Sequence, residues 1–228
     1  MKLKVVHAWD VTPKEAVDIQ TRLKSRLGAK PGKLEKIERI AAVDASYSKK
    51  NKQIFAAAVT LSYPALDILD EQTVTLVTSF PYLPGLLAFR EGPAMIKALE
   101  QVELEPDLLM FDGQGIAHPR GMGIATHLGI LFEKPSLGVA KTILTGEYEE
   151  PPNKAGSYSF LKAKNRGVVG AVLRTRSEVR PVFVSVGFGI GLNESLGVVA
   201  NCLRGYRLPE PLRLAHLLSN RARLKTEA

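Results

Sequence analysis

Residues 107–123 read DLLMFDGQGIAHPRGMG, and this stretch gives the clearest indication of the fold. An apolar run ends at Asp112 and passes directly into a loop with four glycines. The pattern predicts a buried strand over 107–112 whose carboxyl end carries an acid, the place where open α/β sheets usually bind ligands. A carboxylate buried there without a partner would be strongly destabilising, so we expect it to hold a proton, a pairing cation or a metal ion.

Two further acids lie among residues that should be buried. Asp44 interrupts the apolar run of IAAVDASYS (40–48), and Glu91 lies in PYLPGLLAFREGP (81–93), where Gly92-Pro93 predicts a helix start or a kink. Taken alone, Asp44 is better explained as a strand-end acid that caps a turn. Together with Asp112, these acids predict a shared site for Mg²⁺, with Mn²⁺ as a substitute, because both ions favour oxygen ligands.

The remaining pattern predicts one α/β domain over 1–228, with an antiparallel meander followed by strands and helices that alternate as parallel crossovers. A capping box at Thr12–Glu15 starts a helix over 13–27, ahead of a core over about 40–225. The polar segment 146–167 is interpreted as a mobile surface insertion. The other predicted strands are 40–47, 53–62, 66–77, 136–140, 168–175 and 181–186, and the other predicted helices are 122–133, 193–203 and a final helix with His216.

Composition narrows the choice of partner and compartment. The 228-residue chain has a net charge of +8, which favours a polyanionic partner such as nucleic acid. Cys202 is the only cysteine, which excludes an intrachain disulfide and favours a reducing, cytoplasmic compartment. No run of about 18 apolar residues occurs, so we expect no association with membranes. We also expect a monomer. The basic region 22–39 is either a solvated face or a phosphate track.

Five ordered motifs span roughly 40–217. They are VDAS (43–46), FPYLPGLLAFREGP (80–93), FDGQGIAHPRGMGIATHLG (111–129), GVAK (138–141) and RLAH (213–216). Together they resemble the motifs of the endonuclease V family. This resemblance implies an RNase H-like fold, a mixed central β-sheet flanked by helices, in which Asp44, Glu91 and Asp112 hold the metal and His216 is a catalytic residue beside them. Without the resemblance, His216 is interpreted as a partly exposed helix histidine.

The resemblance also implies an activity: a DNA repair endonuclease that recognises deoxyinosine and other deaminated bases. It nicks the second phosphodiester bond 3′ to the lesion and leaves 3′-hydroxyl and 5′-phosphate ends. The residues implied to bind DNA are the wedge Pro81, Tyr82, Leu83 and Pro84, together with Arg90, His118 and Lys141. The residues implied to form the lesion pocket are Gly113, Gly115 and Gly123.

Several alternatives remain open at this point. Tyr82 could be a core tyrosine, His118 a loop brace and Lys141 a surface lysine, while His127 is interpreted as a packed core histidine. The substrate could be inosine in RNA, or the chain could be a binding module without catalysis. One departure from the family stands out: VSVGF places Val186 and Phe188 where relatives often have VSPGH.

Overall fold

The computed structural model describes residues 1–28 and 36–227. Residues 29–35, which include Lys30 and Lys33 of the predicted basic region, lie outside this described part. Its helices are α1 (Pro13–Leu23), α2 (Leu87–Gln101), α3 (Ile124–Phe132), α4 (Leu192–Asn201) and α5 (Glu210–Glu227). Its strands are β1 (Arg39–Ser48), β2 (Gln53–Ser62), β3 (Ile68–Val77), β4 (Leu108–Asp112), β5 (Ser136–Ala140), β6 (Tyr158–Ala163), β7 (Gly167–Leu173) and β8 (Val182–Phe188).

The strands form one mixed sheet in the order β3-β2-β1-β4-β5-β8-β7-β6. The predicted meander of β1, β2 and β3 is confirmed, as are the parallel crossovers that place β4 between β1 and β5. Because β1, β4 and β5 are parallel, their carboxyl ends meet at one edge of the sheet, which we call the carboxyl edge.

Helices cover both faces of the sheet. On β1, Ala41 and Val43 pack towards α1, α2 and α3, whereas Ile40 and Ala42 pack towards the α4 and α5 side. This period of two explains why β1, which is covered on both faces, is apolar almost throughout. The outermost strand β3 instead alternates between exposed and partly buried residues. Among the described residues, no helix is both long and apolar enough to cross a bilayer.

Two local predictions are wrong. The segment 146–167 is not simply an insertion, because its second half forms the edge strand β6, in which Leu161 and Ala163 are buried. The aromatic residues Tyr158 and Phe160 on the exposed face of β6 concealed this alternation in the sequence. Glu91 also does not lie at a helix start, because α2 continues through Pro93 and carries Glu91 in its second turn, and the kink stays a prediction. Proline removes a single helical hydrogen bond here, and the buried residues on both sides of it hold the helix.

Candidate functional site at the carboxyl edge

Two strands bring Asp44 and Asp112 together. Val43 of β1 lies opposite Phe111 of β4, so the acids that follow are neighbours where the two strands pass the carboxyl edge. The period of two directs both side chains towards the α5 side of the sheet. There His216 of α5 places Nδ1 2.8 Å from Asp44 Oδ2, and Asp44 is only 5% exposed. One ligand atom from each of these three residues lies within 4.8 Å of the others.

Glu91 reaches this cluster from the opposite helix layer. It is not among the three residues that lie within 4.8 Å of one another. However, burial and the negative charges of Asp44 and Asp112 together raise the pKa of Glu91 to about 8, so these charges act on its carboxyl group. We call Asp44, Glu91, Asp112 and His216 the acidic centre. Asp44 and Asp112 therefore converge with His216, an additional ligand candidate, and the role of Glu91 as a metal ligand stays a prediction.

The pKa values of Asp112 and His216 are also raised. Burial and the charge of Asp44 raise the pKa of Asp112 to about 6, although the nearby Lys141 ammonium opposes this shift. The Nζ of Lys141, which follows β5, donates a hydrogen bond to Asp112 Oδ2. The hydrogen bond to Asp44 raises the pKa of His216. The carboxylate oxygens of this centre are hard ligands, which fit Mg²⁺ or Mn²⁺.

Supporting residues hold these groups, and sequence reasoning missed them. Ser219 Oγ lies 3.1 Å from Asp44 Oδ2, to which it donates, and Asn220 Nδ2 lies 3.2 Å from His216 Nε2. Arg207 donates to the backbone oxygen of Lys141 at 2.7 Å. The spacing of Ser219 and Asn220, three and four residues after His216, places all three on one face of α5 and could have revealed them.

The predicted wedge forms an exposed projection beside the acidic centre. Tyr82 is 67% exposed, so its interpretation as a core tyrosine is wrong. The guanidinium of Arg90 lies between two tyrosines, with Cζ 4.1 Å from the Tyr47 ring centre and 5.8 Å from that of Tyr82. Arg90 therefore contacts the wedge, and its positive charge also lowers the pKa of Glu91.

The glycines of the predicted lesion pocket are tightly packed. Their backbone N–H groups are already used: Gly115 donates to Ser185 Oγ at 2.8 Å, Gly123 to Gly115 O at 3.0 Å and Gly113 to Val139 O at 3.3 Å. A Cβ on Gly115 would lie 2.0 Å from Val186 O. Any donor to a bound base must therefore come from other groups, and the glycines make close packing of the loop possible.

His118 and Val186 both have structural contacts here. His118 is buried, its Nε2 lies 2.9 Å from Gly85 O, and burial lowers its pKa to about 4, which favours the loop-brace interpretation. Val186 accepts a hydrogen bond from Ile116 N at 2.7 Å through its backbone oxygen, a contact that does not depend on its side chain. Phe188 packs against the core on the α3 side.

A small cavity of about 50 Å³ lies between the wedge and the glycine-rich loop. The first turn of α2 lines it with Leu87 and Ala88, and the backbone N–H groups of a first helical turn have no partner within the helix. Gln114 also lines the cavity, and its buried Oε1 has no hydrogen-bond partner among the described residues. Gln114 Oε1 thus gives the cavity an acceptor, which the sequence pattern did not reveal.

The fold and the acidic centre define an RNase H-like α/β protein with carboxylates at the carboxyl ends of its parallel strands. The sequence model of the Endonuclease V family matches residues 21–217. The chain therefore belongs to the endonuclease V family of nucleases, and the predicted RNase H-like fold is confirmed by its structural neighbours.

Individual relatives support this assignment. Endonuclease V of Methanothrix thermoacetophila is 48% identical over 225 residues, which cover 98% of each chain. The crystal structure of endonuclease V from Streptomyces avermitilis is 39% identical, covers 100% of both chains and superposes with a TM-score of 0.90. Endonuclease V of Ciona intestinalis, in complex with a 23mer DNA containing an inosine followed by a ribo-adenosine, is 26% identical with a TM-score of 0.81 and covers 96% of this chain and 100% of that chain.

Proposed function

We propose that this protein is a metal-dependent endonuclease that recognises deoxyinosine in DNA. It would nick the strand at the second phosphodiester bond 3′ to the lesion and leave 3′-hydroxyl and 5′-phosphate ends. The observation that carries the proposal is the convergence of Asp44, Asp112 and His216 within 4.8 Å, with the charges of Asp44 and Asp112 acting on Glu91, in a member of a nuclease family. The inosine-containing DNA bound by the Ciona relative supports the choice of substrate.

In this proposal Asp44 and Asp112 hold the divalent ion, with His216 and Glu91 completing its surroundings. When bound, Mg²⁺ or Mn²⁺ supplies charge neutralisation for a phosphate and a lowered pKa for water. The raised pKa of His216 lets its imidazole hold a proton beside Asp44, where it can serve a leaving oxygen. Lys141, which is partly exposed next to Asp112, provides a positive charge for a DNA phosphate.

Base recognition would combine the wedge and the cavity. Tyr82 is exposed at the tip of a proline-rich segment, where an aromatic ring can replace lost stacking beside an extruded base. Hypoxanthine presents a carbonyl oxygen next to an N–H. The free N–H groups of the α2 first turn match that carbonyl, and Gln114 Oε1 matches that N–H. Adenine carries the opposite pattern of donor and acceptor on this edge.

The test is a nicking assay on a labelled duplex with one deoxyinosine. It compares Mg²⁺ with EDTA, and the wild type with Asp44→Ala and a matched Asp67→Ala control. Asp67 is exposed and precedes β3 at the sheet edge opposite the acidic centre. A single metal-dependent nick one nucleotide beyond the inosine, lost only in Asp44→Ala, supports the proposal. Tight binding without any nick on DNA or RNA would instead indicate a binding module.

Inosine in RNA is a second candidate substrate. The favouring observation is that the DNA bound by the Ciona relative carries a ribo-adenosine directly after the inosine. Matched DNA, RNA and DNA strands with one ribonucleotide after the inosine separate the two candidates. Cleavage that requires a 2′-hydroxyl next to the scissile bond would replace DNA by RNA as the substrate.

A further inference from the structure

Three hydrogen-bond donors converge on one backbone oxygen at the end of the wedge. The carbonyl of Gly85, which directly follows Pro84, lies 3.1 Å from Gln20 Nε2, 2.9 Å from His118 Nε2 and 2.7 Å from Arg120 Nη2. A backbone carbonyl normally accepts one or two hydrogen bonds. The three hydrogen bonds therefore fix the position of this oxygen, and with it the end of the exposed wedge.

Gln20 and Arg120 join the wedge to the opposite wall of the cavity. Arg120 Nε donates to Gln20 Oε1 at 2.6 Å, and Gln20 Nε2 also donates to Met122 O at 3.0 Å. Gly85 and Met122 both line the cavity. A single side chain, Gln20, therefore bridges the wedge end and the glycine-rich loop.

The setting of Gln20 is unusual for a glutamine. It is 1% exposed and lies on the buried stripe of α1 with Ala16, Ile19 and Leu23. A buried polar side chain is destabilising unless its partners are well placed, and here both ends of the amide are hydrogen-bonded. An apolar residue would pack at this position without such requirements.

The geometry at Gly85 leaves no room for adjustment. Its φ of +83° lies in the left-handed region, and an added Cβ would lie 2.8 Å from Arg120 Nη2 and 3.1 Å from His118 Nε2. The three hydrogen bonds to the Gly85 oxygen, which we call the clamp, and the left-handed conformation of Gly85 depend on each other. A change in either one must move the wedge, the glycine-rich loop or both.

From these contacts we infer that Gln20 and Arg120 are positioning residues that fix the Tyr82 wedge relative to the base cavity. This inference rests on the proposed function, because it concerns how that function selects its substrate. Gln20 acts through Gly85 and Met122 rather than by contact with DNA. The clamp matters for a base that must be extruded from a duplex, and it matters much less for inosine in a single strand, whose base is already unstacked.

The test compares kcat/KM on deoxyinosine in duplex DNA with kcat/KM on the same lesion in single-stranded DNA. This ratio does not depend on the fraction of folded enzyme. We expect Gln20→Leu, which keeps most of the volume and removes both donors, to lower the duplex value about tenfold and the single-strand value less than about threefold. Arg120→Ala should act in the same direction, and Arg120→Lys should recover part of the loss, because lysine can reach only one of the two acceptors.

Arg174→Ala is the matched control for Arg120→Ala. Arg174 also holds backbone carbonyls of a loop, those of Val179 and Pro151, at 2.7 and 3.0 Å, but it lies on the far side of the sheet next to β7. It should lower Tm without changing the ratio. On α1, Thr21→Ala is the control for Gln20→Leu, because Thr21 is exposed and donates only to Val17 O.

A second readout follows the wedge directly. The fluorescence of a 2-aminopurine placed beside the inosine increases when that base loses its stacking on the extruded inosine. Saturating wild-type protein should therefore raise the 2-aminopurine emission, and saturating Gln20→Leu protein should raise it less. Equal losses on duplex and single strand, with an unchanged 2-aminopurine signal, would overturn the inference and leave the proposed function intact. If the wild type cleaves neither substrate, the proposed function itself fails.

Discussion

The acidic centre and a second group of side chains both bury ionisable residues, and they do so in opposite ways. The second group, which we call the histidine cluster, contains His7, Trp9, Phe89 and His127. His127 is 0% exposed, its Nε2 lies 2.7 Å from that of His7, and the rings of Trp9 and Phe89 pack against it. Burial lowers the pKa of His127 to about 3, so it is neutral at physiological pH. The interpretation of His127 as a packed core histidine is confirmed.

The difference lies in the charge that each region retains. An imidazole can be buried in its neutral form and then behaves as a flat, partly apolar ring. The carboxyl groups of the acidic centre instead ionise near neutral pH, because burial and neighbouring negative charges raise the pKa of Glu91 to about 8 and that of Asp112 to about 6. The neutral His127 therefore needs no counter-ion, whereas in the proposed function a cation stabilises the acidic centre. In that proposal the histidine cluster supports the fold and the acidic centre supports chemistry.

Removing a carboxylate should give the largest effect. We expect Glu91→Gln or Asp112→Asn to lower nicking of inosine-containing DNA by about 10²-fold or more, because each supplies charge at the metal. Without metal at pH 7, Glu91→Gln should raise the free energy of unfolding by about 1 kcal/mol or more, because folding then no longer requires a carboxyl group with an ordinary pKa of 4.5 to take up a proton. Nicking assays and denaturant melts in EDTA measure the two effects.

Glu71→Gln is the control for Glu91→Gln, because Glu71 is exposed on β3. It should alter neither activity nor stability. Loss of activity together with loss of metal-free stability in Glu91→Gln would contradict this prediction, because Glu91 would then be a structural residue like those of the histidine cluster.

The pH dependence of stability without metal should come next in size. The pKa of Glu91 is about 8 in the folded protein against an ordinary 4.5, so between these values the folded state binds more protons than the unfolded state. Stability in EDTA should therefore fall as pH rises from 5 to 8, by more than about 1 kcal/mol. Saturating Mg²⁺ should reverse this slope, because it binds the deprotonated form. Thermal melts with and without EDTA check this, and a slope unchanged in Glu91→Gln would contradict it.

The histidine cluster should produce a slope of opposite sign. The folded-state pKa of His127 lies near 3 against an ordinary 6.5, so below pH 6.5 the unfolded state binds more protons and stability is lost as pH falls. His127→Phe should weaken this acid-side loss and leave nicking within about twofold of wild type. It also removes the buried Nδ1, which has no partner among the described residues. Acid-range melts measure the slope, and a large loss of activity would show that the cluster does more than pack.

The same contrast explains what the sequence predicted and what it did not. Asp44 and Asp112 were predictable because each directly follows an apolar run in a strand, and the parallel pairing of β1 with β4 places the two acids side by side. Contacts between segments far apart in the sequence were not predictable. Ser219 hydrogen-bonds to Asp44 at a sequence separation of 175 residues, and Gln20 hydrogen-bonds to Gly85 at a separation of 65 residues. Gln20 had left a local signal, as a polar residue on the apolar stripe of α1, but no pattern identified its partner.

The edge strand β6 was missed for a different reason. Its exposed face carries Tyr158 and Phe160, and its buried face carries Leu161 and Ala163, so polarity does not alternate along it. Only its hydrogen bonds with β7 define it as a strand. Long-range pairing supplied the information that local composition lacked.

Substitution of Gly92, which lies between Glu91 of the acidic centre and Trp9 of the histidine cluster, should have the smallest effect on activity and stability. It follows Glu91 on α2, and an added Cβ would lie 3.1 Å from the ring of Trp9 in the histidine cluster. In Gly92→Ala either Trp9 or the helix must shift by a few tenths of an ångström. Because Trp9 belongs to the N-terminal segment outside any helix or strand, whereas α2 packs into the core, the tryptophan should move and Glu91 should stay.

Trp9 is the only tryptophan in the chain, so its emission reports this shift without a label. Gly92→Ala should change that emission, while nicking stays within about twofold and stability changes by less than about 1 kcal/mol, as the gain in helix propensity offsets the tighter contact. An unchanged emission with a clear loss of nicking would mean that α2 yields instead. The histidine cluster would then set the position of Glu91, and the two regions would be mechanically coupled rather than independent.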